Sequence, residues 1–104
     1  MNKTAERMVS IVPKATKMSL RDIDLNLLVT LEALLRERNV TRAGQVLGAS
    51  QPAMSAALAR LREMFGEQLL LRVGREYRLT PLARDLVGPL QSALAALQGT
   101  LERR

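Results

Sequence analysis

The chain has 104 residues, 47% of them hydrophobic and 25% charged, with a formal net charge of +6. That length supports one domain with a modest core. It holds no cysteine and no histidine, which excludes disulfides, thiolate metal sites and triad chemistry, and removes the commonest general base.

Aromatics are confined to Phe65 and Tyr77, too few for the ring platforms that stack single-stranded bases. No Gly-rich phosphate loop is present either, so an enzyme is not expected, and no cofactor or metal. The positive charge is concentrated in two places. Residues 1–19 carry Lys3, Arg7, Lys14 and Lys17 against Glu6 alone. Residues 36–78 carry eight arginines against four glutamates, and every basic residue after Lys17 is arginine. The planar guanidinium suits phosphates and guanine edges better than an ammonium does. The plain alternative is a solvated basic face.

In chain order, residues 1–19 show no sustained periodicity and read as a disordered basic tail or an added extension, with Met18 as a second candidate start. Their apolar run MVSIV is too short for a signal-peptide core, and no stretch of the chain is long enough to span a membrane. A first helix is expected over LNLLVTLEALLRER, capped by Asp24. Leu28, Leu31 and Leu35 form its stripe, Leu27 and Leu34 widen it, and Asn39 ends it in left-handed geometry.

TRAGQVLGASQPAMSAALARLREMF (41–65) follows and reads as two helices joined by a tight turn. Thr41 is the expected cap of the first and Gly48 its stop; Ser50 caps the second, with Pro52 in its first turn. Met54, Leu58, Leu61 and Phe65 make one apolar stripe. The opposite face carries Pro52, Ala56, Ala59 and Glu63, flanked by Ser55 and Arg60. Small and polar groups on that face let a helix lie close to a large partner. Helix, Gly-containing turn, helix is the arrangement that sets a recognition helix in the DNA major groove.

After Gly66, LLLRV, GRE and YRL read as a small β-hairpin with Arg72 and Arg75 at or near its tip. Beside a helix-turn-helix such a hairpin is a wing; otherwise it simply closes the core. Thr80-Pro81 opens a last helix, along which Leu86, Leu90, Leu94, Leu97 and Leu101 recur at spacings of four, four, three and four. Pro89 is expected to kink it. Since the wing already closes a small domain, much of this stripe is expected to project, exposed, toward a partner.

Taken jointly, DLNLLVTLEALLRERNVTRAG, LGASQPAMSAALARLRE and LLLRVGREYRLTPLA resemble the N-terminal DNA-binding domain of LysR-type transcriptional regulators, over about residues 20–103. The SQPAMS block is close to the nodulation and aromatic-catabolism activators of that family. Ala56 stands where many members have an arginine, Gly44 where alanine is usual, and Arg62 where many have glutamate. The family's large effector-binding domain has no counterpart in these residues. A response to a small inducer is therefore expected only of a full-length form.

The resemblance implies a mainly α fold: a winged helix-turn-helix of three helices plus a hairpin wing over 20–80, then a linker and dimerisation helix over 81–104. It implies a bacterial, cytoplasmic, nucleoid-associated homodimer joined through Leu86, Leu90, Leu94, Leu97 and Leu101. Its expected partner is double-stranded DNA with an interrupted palindrome. The expected DNA-facing residues are Thr41, Arg42, Ser50, Gln51, Pro52, Ser55, Ala56, Ala59, Arg60, Arg62, Arg72 and Arg75. The competing reading is a helical protein–protein adaptor in which the last helix pairs with a partner and the basic face is incidental.

Overall fold

The computed structural model describes residues 19–103. Apart from Ser19, the basic tail over 1–19 lies outside the described residues. Leu20–Asp22 forms a short 3-10 turn whose Arg21 N–H donates to Ser19 Oγ at 3.1 Å. Helix α1 follows, Leu25–Glu37, and Asp24 caps it by accepting from the Asn26 N–H at 2.9 Å.

The junction after α1 differs from expectation. Arg38, not Asn39, is the left-handed residue, at φ 53°, ψ 34°, with its N–H donating to Leu34 O at 2.8 Å. Asn39 is extended and caps helix α2, Val40–Leu47; its Oδ1 accepts from the Arg42 N–H at 2.8 Å. Thr41 is thus inside the first turn and is not the cap. The reason is local competition: Asn is at least as good a cap as Thr. Placed two residues earlier, it reaches the unpaired N–H first.

Gly48 closes α2 at φ 68°, and the Ala49 N–H donates to Gly44 O at 2.8 Å, so the turn is bonded to the helix it leaves. Helix α3, Gln51–Phe65, starts as expected. Ser50 Oγ accepts from the Ala53 N–H at 3.2 Å, Pro52 sits where no N–H is needed, and Gly66 ends the helix. Strands β1, Leu70–Val73, and β2, Glu76–Leu79, pair antiparallel with Leu70 opposite Leu79 and Arg72 opposite Tyr77.

Thr80 ties the hairpin to helix α4, Pro81–Glu102. Its hydroxyl donates to Gln68 O at 2.9 Å and accepts from the Ala83 N–H at 3.3 Å. Its own N–H donates to Leu69 O at 3.1 Å. One buried residue thereby caps a helix and fastens the root of the wing.

The core lies among α1, α2, α3 and the first turns of α4. Leu31, Leu34, Met54, Leu61 and Leu69 are its largest fully buried side chains, each stabilising the fold by roughly 1.5–3 kcal/mol through burial. On α1 the buried line runs through Leu27, Leu31 and Leu34, with Leu35 beside it; Leu28 is only half-buried. The stripe axis is therefore rotated from the expected 28–31–35 line, because helices pack on α1 from the Leu27 and Leu34 side.

The expected exposed stripe of α4 is also corrected. Leu86 and Leu90 are half-buried and pack on the domain's own core with Leu82 and Val87. Leu94 is half-buried as well, while Leu97 is 49% and Leu101 72% exposed. Helix α4 packs against α1, and its early leucines are drawn into the core. Helical structure continues unbroken through Pro89.

Candidate nucleic-acid interface

Two faces of α3 have separate duties. Met54 and Leu61 are buried, and Ala57, Leu58, Met64 and Phe65 pack against the same core. Gln51, Pro52, Ser55, Ala56, Ala59 and Arg60 are all exposed. Anchored on one face, the helix presents a smooth ridge of small side chains on the other, with Gln51 at its first turn. Its N-terminus carries the positive end of the helix dipole and free backbone donors, which favour anions such as phosphate.

The arginines divide by environment. Arg60 and Arg75 are exposed, Arg75 in the turn at the wing tip. Arg42 is exposed at the start of α2 with its guanidinium leaning on Glu37: Nη2 donates to Glu37 O at 3.3 Å, and Nε stands 3.9 Å from a Glu37 carboxylate oxygen. Arg72 folds back onto its cross-strand partner. Its guanidinium carbon lies 5.2 Å from the centre of the Tyr77 ring, Nη1 donates to Tyr77 Oη at 3.2 Å, and Nε donates to Gly74 O at 3.3 Å. That cation–π and hydrogen-bonded arrangement stiffens the wing behind its tip.

Arg62 is half-buried near the end of α3, its Nη1 donating to Gln68 Oε1 at 3.4 Å, away from the first turn of that helix. Arg36 is occupied by Glu32 and Glu37; the hydrogen bond and charge of Glu32 raise its pKa further, so it stays charged and paired. Thr41 is exposed in the first turn of α2. Thus the structure gathers Ser50, Gln51, Pro52, Ser55, Ala56, Ala59 and Arg60 on one helix face. Thr41 and Arg42 lie apart from it in the first turn of α2 and Arg75 at the wing tip, and Arg62 and Arg72 are turned to Gln68 and Tyr77. Sequence spacing gives no reason to single out Arg38, yet it is exposed and, among the described residues, the one non-glycine with positive φ. No helix among the described residues is long and apolar enough to cross a membrane.

Comparison with known proteins agrees with this geometry. The chain is 52% identical over 81 residues to nodulation protein D of Bradyrhizobium sp. (strain ANU 289), an alignment covering 78% of this chain and 24% of that protein. It is 46% identical over 86 residues to the HTH-type transcriptional regulator LeuO of Escherichia coli (strain K12), covering 83% and 27%. The chain spans about a quarter of the length of these relatives.

Among solved structures, the probable transcriptional regulator PA0477 of Pseudomonas aeruginosa superposes with a TM-score of 0.75 at 43% identity, covering 80% of this chain and 28% of that one. The BenM DNA-binding domain, crystallised in complex with catB site 1 DNA, superposes with a TM-score of 0.70 at 26% identity, covering 76% and 89%. Residues 25–84, more than half of the chain, match the family described as bacterial regulatory helix-turn-helix protein, lysR family. The winged helix-turn-helix seen here is that family's DNA-binding fold, and the chain belongs to the LysR family of transcription regulators.

Proposed function

We propose that this chain binds double-stranded DNA sequence-specifically as a homodimer, with α3 in the major groove and the wing tip on the backbone or in the minor groove. The observation that carries the reading is the divided surface of α3: Met54 and Leu61 lock it to the core, while Gln51, Pro52, Ser55, Ala56, Ala59 and Arg60 offer an exposed face with no structural duty. Gln51 reads adenine through its amide, Pro52 packs on a thymine methyl, and Ser50 and Ser55 hold phosphates near the helix N-terminus. Arg42, Arg60 and Arg75 supply backbone charge neutralisation.

One recognition helix addresses only a few base pairs, so specificity at genomic scale needs two. The seam we assign is narrower at one end and wider at the other than the leucine spacing suggests. Leu86 and Leu90 serve the monomer core; Leu94, Leu97 and Leu101 remain, and with Leu25 and Val29 of α1 they line a groove of about 490 Å³. A second copy's α4 laid antiparallel along this groove would bury Leu97 and Leu101 in both copies. A two-fold axis there sets the target as an interrupted palindrome with half-sites at helical-turn spacing. Response to a small inducer and a cytoplasmic, nucleoid-associated location belong to the same proposal for the full-length regulator.

Selection from a random oligonucleotide pool, followed by sedimentation of the selected complex, tests it. The expected result is enrichment of an interrupted palindrome bound by two copies, with affinity falling steeply in salt. A chain that dimerises but shows no salt-sensitive DNA binding is instead a protein–protein module.

A further inference from the structure

Three arginines from three elements meet at one place. Arg38 ends α1, Arg42 lies in the first turn of α2 and Arg75 is at the wing tip; with Asn39, Glu76 and Tyr77 they line a notch of about 310 Å³. All three guanidiniums are on exposed residues, and the carboxylates in reach are Glu76 in the lining and Glu37 against Arg42. The notch therefore keeps a positive excess.

Arg38 is held in the left-handed region at φ 53°, a helix-stop conformation that glycine or asparagine adopts more easily. That turn leaves its side chain in the lining of the notch beside Arg75. Helix α2 then sets the distance. Its eight residues span about 12 Å, roughly the width of the major groove. With α3 seated inside the groove, a notch at the far end of α2 is within reach of the phosphate backbone that borders it.

We propose that Arg38, Arg42 and Arg75 form a phosphate notch that grips neighbouring DNA backbone phosphates at the flank of the half-site, with Arg38 as its key member. The proposal rests on the DNA-binding reading above. Arg72, turned onto Tyr77, is not part of the notch. The grip reads no base. It fixes how far the wing follows the backbone and so holds the register of Gln51 over the bases.

The test compares the 104-residue chain with Arg38→Gln, Arg38→Gly and, as a charge control outside the notch, Arg21→Gln. Each is titrated with a duplex carrying the selected site and with random duplex, over a range of salt. Arg38→Gln should weaken both duplexes about tenfold at 0.1 M salt and lower the logarithmic salt slope by about one unit. Arg21→Gln should leave the slope unchanged. Arg38→Gly should raise the melting temperature by a few degrees, by relieving the left-handed strain, and still lose the same affinity. Loss of binding in a variant that is more stable cannot come from misfolding.

If Arg38→Gln keeps the wild-type slope, or Arg21→Gln loses as much, the notch is overturned while the DNA-binding reading stands. If the wild-type chain shows no salt-dependent DNA binding, both fall. A parallel titration with inorganic phosphate alone should show no saturation at millimolar concentration; saturation there would make the notch a free-anion site and overturn its assignment to the DNA backbone.

Discussion

A Cβ placed on Gly44 would lie 3.0 Å from Met54 Cγ, so the glycine is where α2 lets the recognition helix come close. The same atom would stand 3.1 Å from Ala49 O, in the turn between the two helices. Two effects oppose each other in Gly44→Ala. Helix propensity favours alanine by about 1 kcal/mol. Overpacking a site this tight costs about 1–3 kcal/mol, and neither neighbour withdraws easily, since Met54 is 1% exposed and Ala49 O belongs to the backbone. The packing effect is the larger. Gly44→Ala should lower stability by about 1 kcal/mol in urea unfolding and weaken specific DNA binding by tilting α3. Gly44→Ala combined with Met54→Ala should show favourable coupling in a double-mutant cycle. A stabilised single variant with no coupling would mean that propensity dominates.

Base readout is expected to separate from charge. Gln51→Ala should cost about 1–3 kcal/mol on the selected site and little on random duplex. The side chain is exposed and caps nothing, so melting should be unaffected. Equal losses on both duplexes would remove Gln51 from the readout.

The wing makes a contrast between two arginines three residues apart. Arg75→Ala removes an exposed tip charge and should lower the salt slope by about one unit. Arg72→Ala removes the contact over the Tyr77 ring and the bond to its hydroxyl, so it should loosen the wing and alter the slope less. Tyr77→Phe keeps the ring and deletes the hydroxyl; binding close to wild type is expected. Hydrogen exchange of the β1–β2 amides, with salt titrations, distinguishes the two roles. A larger slope change for Arg72→Ala than for Arg75→Ala would reverse the assignment.

The elements themselves were legible from periodicity and capping chemistry. Asp24, Ser50 and Thr80 cap the helices expected of them, and Met54 and Leu61 face inward. What local signals left undecided was competition between neighbours. Asn39 and Thr41 are both competent caps, and only the chain path out of α1 gives the role to Asn39 and the left-handed position to Arg38. Likewise the 3.6-residue repeat shows that Leu28, Leu31 and Leu35 share a face widened by Leu27 and Leu34, but packing buries Leu27, Leu31, Leu34 and Leu35 and leaves Leu28 at the half-buried edge. The site was legible on α3, where one helix carries its whole ridge. The meeting of Arg38, Arg42 and Arg75 was not, because it depends on a wing folding back over thirty residues of intervening chain.

The root of the wing has its own test. Thr80→Val keeps the shape and removes the hydroxyl that donates to Gln68 O and accepts from the Ala83 N–H. It leaves a part-buried carbonyl and a buried helix N–H short of partners, so about 1–2 kcal/mol of stability should be lost. Thr80→Ser should restore most of it. Chemical denaturation reads both; a silent Thr80→Val would mean water replaces the hydroxyl.

Assembly turns on how the leucines of α4 divide between core and seam. Leu86 and Leu90 pack on the monomer core, so Leu90→Ala should destabilise the folded domain itself, by about 1–3 kcal/mol for a half-buried leucine. Leu97 and Leu101 are the exposed pair. Leu97→Glu with Leu101→Glu places two like charges per copy along the proposed seam, where burial of unpaired carboxylates is prohibitive, yet it touches little of the monomer. The double variant should fold normally, sediment as a monomer and bind a half-site weakly. The advantage of a full palindromic site over a half-site should vanish, since that advantage comes from holding two recognition helices at once. If the double variant remains dimeric with full-site affinity intact, the two-fold axis does not pass through the end of α4, and the groove between Leu25, Val29 and Leu97 has no part in spanning the operator.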